Sequence, residues 1–174
     1  MDKILDARGL TEEQAIARYR ERNYPKPAFT ADIVVFAKRE DSLRVLLIRR
    51  KGHPFIGKLA LPGGFANENE PIEETAAREL VEETGVEGLS LELVGVYSAP
   101  GRDPRGWVVS AAFVSVVDAQ LLKLKAGDDA AQAGWFTVDG ENLICGEESC
   151  RFEELAFDHG KILRDALRFL LRSR

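Results

Sequence analysis

Residues 61–86 read LPGGFANENEPIEETAARELVEETGV, and they are the most informative part of the 174-residue sequence. Pro71 suits the start of a helix, because a proline in the first turn removes no hydrogen bond that the helix needs. Gly85 suits the end, because glycine readily adopts the left-handed conformation that follows a last helical turn. The pattern therefore predicts a helix over residues 72–84, preceded by a glycine loop.

Three glutamates share one face of this predicted helix. At about 100° per residue, Glu82 and Glu83 lie at about −60° and +40° from Glu79, so the three carboxylates project together. A second face is predicted to pack in the core: Ala77, Leu80, Val81 and Thr84. Like charges at these spacings repel by a few tenths of a kcal/mol per pair, and the helix macrodipole disfavours acids in the last turn. A hard divalent cation, Mg²⁺ or Mn²⁺ rather than Zn²⁺, would offset both costs through oxygen ligands.

Composition excludes several classes of protein. The chain has 24 basic and 29 acidic residues, a poor charge balance for salt-driven binding of nucleic acid. Its hydrophobic residues make up 45%, which is enough for one domain with a core. No run of 18 apolar residues predicts a membrane span, and the charged amino terminus does not resemble a signal peptide, so we expect a cytoplasmic protein. Cys145, Cys150, His53 and His159 have spacings that match no zinc finger, and we expect reduced thiols.

The remaining sequence predicts alternating strands and helices. A helix is predicted over residues 11–22, with Thr11 and Gln14 forming a capping box, and a last helix over residues 158–171. Two apolar runs joined by a polar tip predict a β-hairpin. The predicted strands are residues 31–38, 43–50, 91–98, 107–117 and 135–138.

The central stretch resembles a known family. Gly64, Glu70 and the run RELVEETGV at residues 78–86 match the Nudix box at every specified position, with five and seven residues in the gaps. The wider resemblance covers nearly the whole chain and is closest to the ADP-ribose pyrophosphatases. It implies an α/β/α sandwich with a mixed central β-sheet. It also implies one Nudix hydrolase domain over residues 1–174, with residues 1–28 as a helical extension.

The resemblance implies a role for each box residue. Glu79, Glu82 and Glu83 correspond to the metal-binding and catalytic carboxylates, and the carbonyl of Gly63 to a further metal ligand. Arg78 corresponds to the residue that holds these carboxylates in place, and Glu70 to its ion-pair partner outside the metal's own ligands. The implied cofactor is Mg²⁺, for which Mn²⁺ can substitute. The number of metal ions stays open.

The identity of the catalytic base also stays open. The implied reaction is metal-assisted hydrolysis of a diphosphate. Many Nudix hydrolases have a glutamate where Gln132 stands, and a glutamine cannot accept a proton at neutral pH. Either the base is Glu79, or it is a neighbouring loop acid, Asp128 or Asp129, or catalysis is reduced, and we favour Glu79.

Four arginines are candidate substrate contacts. Residues 97–106 contain Arg102 and Arg105 in a proline-ordered loop, which resembles the substrate loop of the ADP-ribose-hydrolysing branch, and arginines bind phosphate oxygens well. Arg49 and Arg50 end a predicted strand. Because successive strand residues point to opposite faces, we expect at most one of this pair to face the site.

Two other segments are interpreted as structural. Residues 52–59 imitate a phosphate-binding loop, but Leu59 stands where a magnesium-binding hydroxyl is needed and no helix is predicted next. Near the carboxyl end, Phe157 is predicted in the core, Asp158 as a helix cap and His159 as a surface or cap residue.

The leading functional hypothesis is Mg²⁺-dependent hydrolysis of a nucleoside diphosphate linked to another group, above all ADP-ribose to AMP and ribose 5-phosphate. The alternatives are a pyrophosphohydrolase of nucleoside triphosphates, including oxidised ones, and a non-catalytic ADP-ribose sensor. Related sensors carry an added winged helix, for which this chain leaves no room. We expect a small-molecule nucleotide diphosphate as substrate, no nucleic-acid or membrane partner, and a homodimer to which residues 11–22 contribute.

Overall fold

The computed structural model describes residues 4–39, 42–118 and 133–172, and within these ranges nine strands form a single mixed sheet. The strands are β1 Ala28–Arg39, β2 Ser42–Arg49, β3 Leu59–Ala60, β4 Gly63–Phe65, β5 Glu92–Tyr97, β6 Val108–Asp118, β7 Ala133–Asp139, β8 Asn142–Cys145 and β9 Glu148–Arg151. The helices are α1 Glu12–Glu21, α2 Ile72–Thr84 and α3 His159–Arg172, with a 3₁₀ turn at Phe152–Glu154. None of the helices in these ranges has both the length and the apolar character needed to cross a membrane.

Strand β1 is the centre of the sheet. It pairs in parallel with β6 and antiparallel with β2 and β4, and the long path through the sheet runs β5-β6-β1-β2-β7-β8-β9. Phe36 lies opposite Val45, which confirms the predicted hairpin of β1 and β2. The pairing of β1 with β6 makes the sheet mixed, as the family resemblance implied.

The two faces of β1 build two separate cores. Alternate residues face opposite sides of a strand, so one set meets α2 and the other meets α3. The core on the α2 side contains Ala31, Ile33, Val35, Ala76 and Leu80. The core on the α3 side contains Val34, Phe36, Ile162, Leu163 and Ala166. A sheet covered by a helix on each face is the expected α/β/α sandwich.

Helix α2 has the predicted bounds but a different buried face. Gly85 ends it in the left-handed conformation at φ 70°, as expected, and Pro71 immediately precedes its first turn. The buried residues of α2 are Thr75, Ala76, Leu80 and Thr84. The prediction that Ala77 and Val81 pack in the core is wrong, because the contact with the sheet is centred on Leu80 and both residues lie beyond its edge.

Helix α1 forms at the predicted place but outside both cores. The capping box is present, with the Gln14 N–H 3.3 Å from Oγ1 of Thr11 and the Thr11 N–H 3.0 Å from the Gln14 amide oxygen. No residue of α1 is buried, and Ile16 and Tyr19 are exposed. The helix is therefore held by its own local signals and not by the hydrophobic cores.

The segment between β2 and β3 is a closed turn. The Gly57 N–H donates to the carbonyl of Arg50 at 2.8 Å, and the Arg50 N–H donates to the carbonyl of Lys58 at 3.0 Å. The chain then enters β3 and not a helix. This confirms that residues 52–59 do not form a phosphate-binding loop of the helix-opening type.

Candidate active site

A cleft of about 420 Å³ lies between the end of β2 and helix α2. It is lined by Ile48, Arg49, Arg50, Lys51, Gly52, Glu79, Glu82 and Glu83. Both arginines border the cleft, whereas strand alternation predicted one. The reason is that β2 ends at Arg49, so the alternation of a strand no longer governs Arg50. The two arginines thus line one side of the cleft, and the three glutamates of α2 line the other.

The loop before α2 is fixed by close backbone contacts. Gly63 has φ 154°, and a Cβ atom there would lie 2.1 Å from the carbonyl oxygen of Ala31, so no other residue fits without moving the strand. The Gly63 N–H donates to Glu83 at 2.8 Å, and the Pro62 carbonyl accepts from the Ile33 N–H at 2.8 Å. The Gly63 carbonyl, a predicted metal ligand, therefore belongs to a rigid segment.

The second glycine of the loop makes room for a carboxylate. A Cβ atom on Gly64 would lie 2.4 Å from the carboxyl carbon of Glu79. Glu79 therefore packs directly over the loop backbone, with most of its side chain shielded from solvent. The match of Gly64 to the family pattern has a physical reason: only glycine leaves this space for the Glu79 side chain.

Arg78 joins the carboxylates of this site. Its guanidinium donates to both Glu70 oxygens at 2.8 and 3.0 Å, to Glu79 at 2.6 Å and to Glu82 at 3.2 Å. It also donates to the carbonyl of Phe65 at 3.0 Å. These are the contacts that a residue holding the glutamates in place requires.

Glu70 fixes Arg78 from the far side. Besides the guanidinium, it accepts the Asn67 N–H at 2.9 Å and the Thr75 hydroxyl at 2.8 Å. The hydrogen bonds from Arg78, and then the one from Asn67, hold the pKa of Glu70 far below its usual range. Glu70 is thus ionised at any working pH, and it orients Arg78 without lining the cleft.

The donor set fits a hard divalent cation. Burial and the charge of Glu79 raise the pKa of Glu83 to about 7, although the Gly63 N–H opposes the shift. A cation would remove this repulsion, and carboxylate and carbonyl oxygens are its preferred ligands. Among the residues that the structure describes, no three acidic or histidine side chains converge as they stand, because Arg78 binds Glu79 and Glu82 while Glu83 turns to Gly63.

The raised pKa of Glu83 predicts how metal-free stability depends on pH. The folded chain binds this proton more tightly than the unfolded chain, whose Glu83 pKa is near 4.5. The stabilisation is therefore complete below pH 4.5 and is lost as pH rises through about 7, up to about 3 kcal/mol of unfolding free energy. Urea unfolding in EDTA across this range measures it. Glu83→Gln should flatten the decline, and an unchanged slope would contradict the assignment.

Arg49 and Arg50 are anchored by different partners. Arg49 donates to the Gly57 carbonyl at 2.9 Å and pairs with Glu148, while Nε of Arg50 donates to the Pro54 carbonyl at 2.7 Å. Burial lowers the pKa of Arg50. Both guanidiniums are thereby held beside the cleft, and their contacts with substrate phosphates remain a prediction.

Arg105 stands at a second, smaller cavity. It makes a two-pronged ion pair with the buried carboxylate of Asp103, at 3.0 Å from Nε and 2.7 Å from Nη2. Its guanidinium carbon lies 4.6 Å from the ring centre of Phe65 and 5.3 Å from that of Phe157. The side chain is partly exposed, so it is able to meet a ligand.

Arg102 has partners that the sequence did not suggest. Its side chain is only 4% exposed, and it donates to both oxygens of Asp158 at 3.0 and 2.6 Å and to Asp32 at 3.4 Å. These carboxylates occupy the place of the phosphate that we expected it to bind. Substrate binding by Arg102 stays a prediction, and these contacts do not support it.

Sequence analysis missed a buried polar group beneath the site. His159 was predicted as a surface or cap residue, and this is wrong: its side chain is 5% exposed, and its Nδ1 accepts the Leu61 N–H at 2.9 Å. Asp32 lies 3.4 Å from Nε2 and accepts the Ser110 hydroxyl at 2.6 Å. Burial lowers the pKa of His159. The available signal was Asp32 itself, a charged residue inside an apolar strand.

The predictions for Phe157, for Asp158 and for the loop base have different outcomes. Phe157 is partly buried, and its ring centre lies 4.9 Å from that of Phe55. Asp158 immediately precedes α3, as predicted for a cap, and its carbonyl accepts the Ile162 N–H at 3.2 Å, but its carboxylate accepts from Arg102 and not from the helix end. The candidate loop base, Asp128 or Asp129, lies outside the described residues, as does Gln132.

Comparison with known proteins gives a consistent family signal. The NUDIX domain model matches residues 26–159. The chain is 43% identical over 148 residues to an ADP-ribose pyrophosphatase of Methanocaldococcus jannaschii, covering 85% of this chain and 78% of that protein. It is 30% identical over 158 residues to the ADPR responsive transcriptional repressor NtrR of Acinetobacter baylyi, covering 90% of this chain and 59% of the repressor.

Solved structures give the same fold. A MutT/nudix family protein from Enterococcus faecalis superposes with a TM-score of 0.79 at 35% identity, covering 95% of this chain and 71% of that one. The NUDIX domain of Shewanella oneidensis NrtR, crystallised with ADP ribose, superposes with a TM-score of 0.71 at 28% identity, covering 92% and 99%. Both superpositions cover more than nine-tenths of this chain.

Proposed function

Since the chain belongs to the Nudix hydrolase family, we propose that it hydrolyses ADP-ribose to AMP and ribose 5-phosphate. The observation that carries this proposal is the cleft in which the Glu79, Glu82 and Glu83 carboxylates face Arg49 and Arg50. A diphosphate is anionic on both sides of its bridging oxygen, so it needs cations on two sides. The guanidiniums would supply one side, and a metal ion held by the glutamates would supply the charge on the other. The 43% identity to an ADP-ribose pyrophosphatase supports the choice of substrate.

We propose Mg²⁺ as the cofactor, with Mn²⁺ able to replace it. Glu79, Glu82, Glu83 and the Gly63 carbonyl would hold it. When bound, such an ion neutralises phosphate charge, stabilises the departing phosphate and lowers the pKa of a coordinated water. The oxygen-only donor set supports this metal class over zinc.

The other proposed roles in the reaction belong to side chains of the protein itself. Glu79, held over Gly64, is the proposed base that accepts a proton from the attacking water. Arg78 orients Glu79 and is itself fixed by Glu70. Arg50 and Arg105 are positioned to bind phosphate oxygens, because each is held by partners that leave part of its guanidinium available.

Sensing of ADP-ribose without hydrolysis is the second candidate. The resemblance to NtrR and to the ADP-ribose-bound NrtR domain favours it. The complete set of box glutamates favours hydrolysis, because a sensor needs to bind the diphosphate but has no use for a carboxylate that accepts a proton. A nucleoside triphosphate remains the alternative substrate of the same chemistry.

A turnover screen separates these candidates. Purified protein is assayed with ADP-ribose, other nucleotide-sugar diphosphates and ordinary and oxidised nucleoside triphosphates, each with Mg²⁺, Mn²⁺ or EDTA. We expect ADP-ribose to give AMP and ribose 5-phosphate in equal amounts by chromatography, and EDTA to abolish the reaction. Calorimetric binding of ADP-ribose without products would favour the sensor, and faster turnover of a triphosphate would replace the substrate.

We also propose an oligomeric state and a cellular location for the protein. The exposed Ile16 and Tyr19 of α1 support a homodimer in which this helix takes part. The reduced state of Cys145 and Cys150 supports a cytoplasmic location. No nucleic-acid or membrane partner is proposed.

A further inference from the structure

Besides the pairing of β4 with β1, three hydrogen bonds hold residues 61–63, the segment that carries the Gly63 carbonyl. The Gly63 N–H binds Glu83, and the Pro62 carbonyl binds β1, so two of the three come from the neighbouring helix and strand. The third is the bond from the Leu61 N–H to Nδ1 of His159, at the start of α3. Leu61 is 1% exposed, so its N–H has no access to water. A buried N–H without an acceptor is costly, and here a side chain supplies the acceptor.

The hydrogen bond to Leu61 defines the state of the imidazole. A ring nitrogen accepts only when it carries no proton, so the single proton of neutral His159 is on Nε2. Nε2 lies 3.4 Å from Oδ1 of Asp32, and a carboxylate at that position favours a proton facing it. Asp32 is held in turn by the Ser110 hydroxyl at 2.6 Å and by Arg102 at 3.4 Å.

We propose that His159 is a positioning residue for the metal site, and that Asp32 fixes the tautomer in which it acts. His159 holds the main chain of Leu61 and thereby places the Gly63 carbonyl two residues later. The connection is stiff, because Pro62 has a fixed φ and Gly63 is pressed against the carbonyl of Ala31. The inference rests on the proposed function only in taking Gly63 as a metal ligand.

His159 and Asp32 border the smaller cavity beside Arg105, but the contacts of the imidazole point to a role in fixing geometry. Its side chain is 5% exposed, one ring nitrogen is bound to the main chain and the other faces Asp32. Both Asp32 oxygens are occupied within the same group. The Leu61 N–H at Nδ1 and the Asp32 carboxylate facing Nε2 hold the ring in one orientation, so the imidazole fixes the geometry of the segment it binds. Second-layer partners of metal ligands commonly change metal affinity about 10- to 100-fold when they are removed.

The tautomer is tested in the wild-type protein without metal or substrate. The chain contains two histidines, and a variant of the exposed His53 assigns the signals. Long-range ¹H–¹⁵N correlation spectra at pH 7 should show His159 neutral, with the proton on Nε2 and an unprotonated Nδ1. A proton on Nδ1, or a doubly protonated ring, would overturn the proposal.

The positioning role is tested by two variants and a direct metal titration. His159→Leu removes the acceptor, whereas His159→Asn keeps an oxygen near the position of Nδ1. We expect Mn²⁺ binding, measured by calorimetry without substrate, to weaken on the order of 10-fold in the leucine variant. We expect it to recover most of the loss in the asparagine variant, and the Leu61 amide should exchange with solvent faster only in the leucine variant.

The outcomes separate positioning from general stability. A purely structural histidine would lower the melting temperature in both variants and leave Mn²⁺ affinity unchanged in each, which would overturn the proposal. Should the leucine variant not fold, His159→Phe removes the acceptor while keeping a ring of similar shape: a 10-fold loss of Mn²⁺ affinity with faster exchange of the Leu61 amide supports the proposal, and wild-type affinity overturns it. None of these measurements uses ADP-ribose, so a failure of the proposed substrate leaves them intact.

Discussion

Glu83→Gln should lower the rate of ADP-ribose hydrolysis on the order of 10²-fold or more while leaving the fold intact. The change keeps the size of the side chain and its helix propensity, and the amide oxygen can still accept the Gly63 N–H. It removes one negative charge from the place where the cation is proposed to bind. Activity at increasing Mg²⁺ measures the effect, and part of the loss should be recovered at high Mg²⁺.

Glu74→Gln is the matched control for this experiment. Glu74 lies in the first turn of the same helix and is exposed, so its replacement also removes one charge from α2 without touching the cleft. Its activity should equal that of the wild type. Turnover by Glu83→Gln at the wild-type level under limiting Mg²⁺ would remove Glu83 from the proposed ligands.

Glu79→Gln should reduce the maximal rate on the order of 10²- to 10⁴-fold, and by more than it weakens metal binding. A base has to reach the attacking water directly or through one further water. Glu79 lies over Gly64, and Arg78 binds only its Oε1, at 2.6 Å, so we expect its Oε2 to accept the proton. Rates at saturating Mg²⁺ and ADP-ribose, together with calorimetric Mn²⁺ affinities, separate the two effects.

The loop acids provide the comparison for Glu79. Asp128→Asn and Asp129→Asn should each cost less than Glu79→Gln under the same conditions, and Gln132→Glu should have little effect or give a modest gain. A loop variant that falls to the level of Glu79→Gln while binding Mn²⁺ normally would assign the base to the loop. Melting temperatures of all variants exclude loss of folding as the cause.

The elements predicted correctly from the sequence are those that local signals define. Helix α2 has a glycine at its end, and α1 has a capping box, so their bounds follow from neighbouring residues. The hairpin of β1 and β2 follows from two apolar runs and a polar tip. Such signals act over a few residues and need no knowledge of the rest of the chain.

The four short strands β3, β4, β8 and β9 were not predicted. They contain two to four residues each, too few for a periodic pattern. Gly63–Phe65 even has two glycines, which local propensity disfavours in a strand. It is a strand because β1 lies beside it and supplies the hydrogen bonds, so its existence depends on tertiary structure.

The residues of the candidate site also fall into those that could be predicted from local signals and those that could not. Three glutamates on one helix could be found from their spacing, because the helix itself brings them together. The group of Asp32, Ser110 and His159 could not be found in this way. Its hydrogen bonds join residues that are separated by 78 positions in one case and by 98 in the other. The partners of Arg102 could not be predicted for the same reason, because Asp158 and Asp32 come from two distant segments.

The parallel pairing of β1 with β6 joins strands that lie far apart in the chain, so we expect the site to be completed late in synthesis. Ala28 lies opposite Val108. The central strand β1 therefore pairs with β6 only after the chain has been synthesised past β6. The imidazole that anchors the Gly-Gly loop follows later still, at residue 159. A nascent chain that already contains every box glutamate therefore still lacks this anchor, and we expect the proposed cation to bind only once the fold is complete.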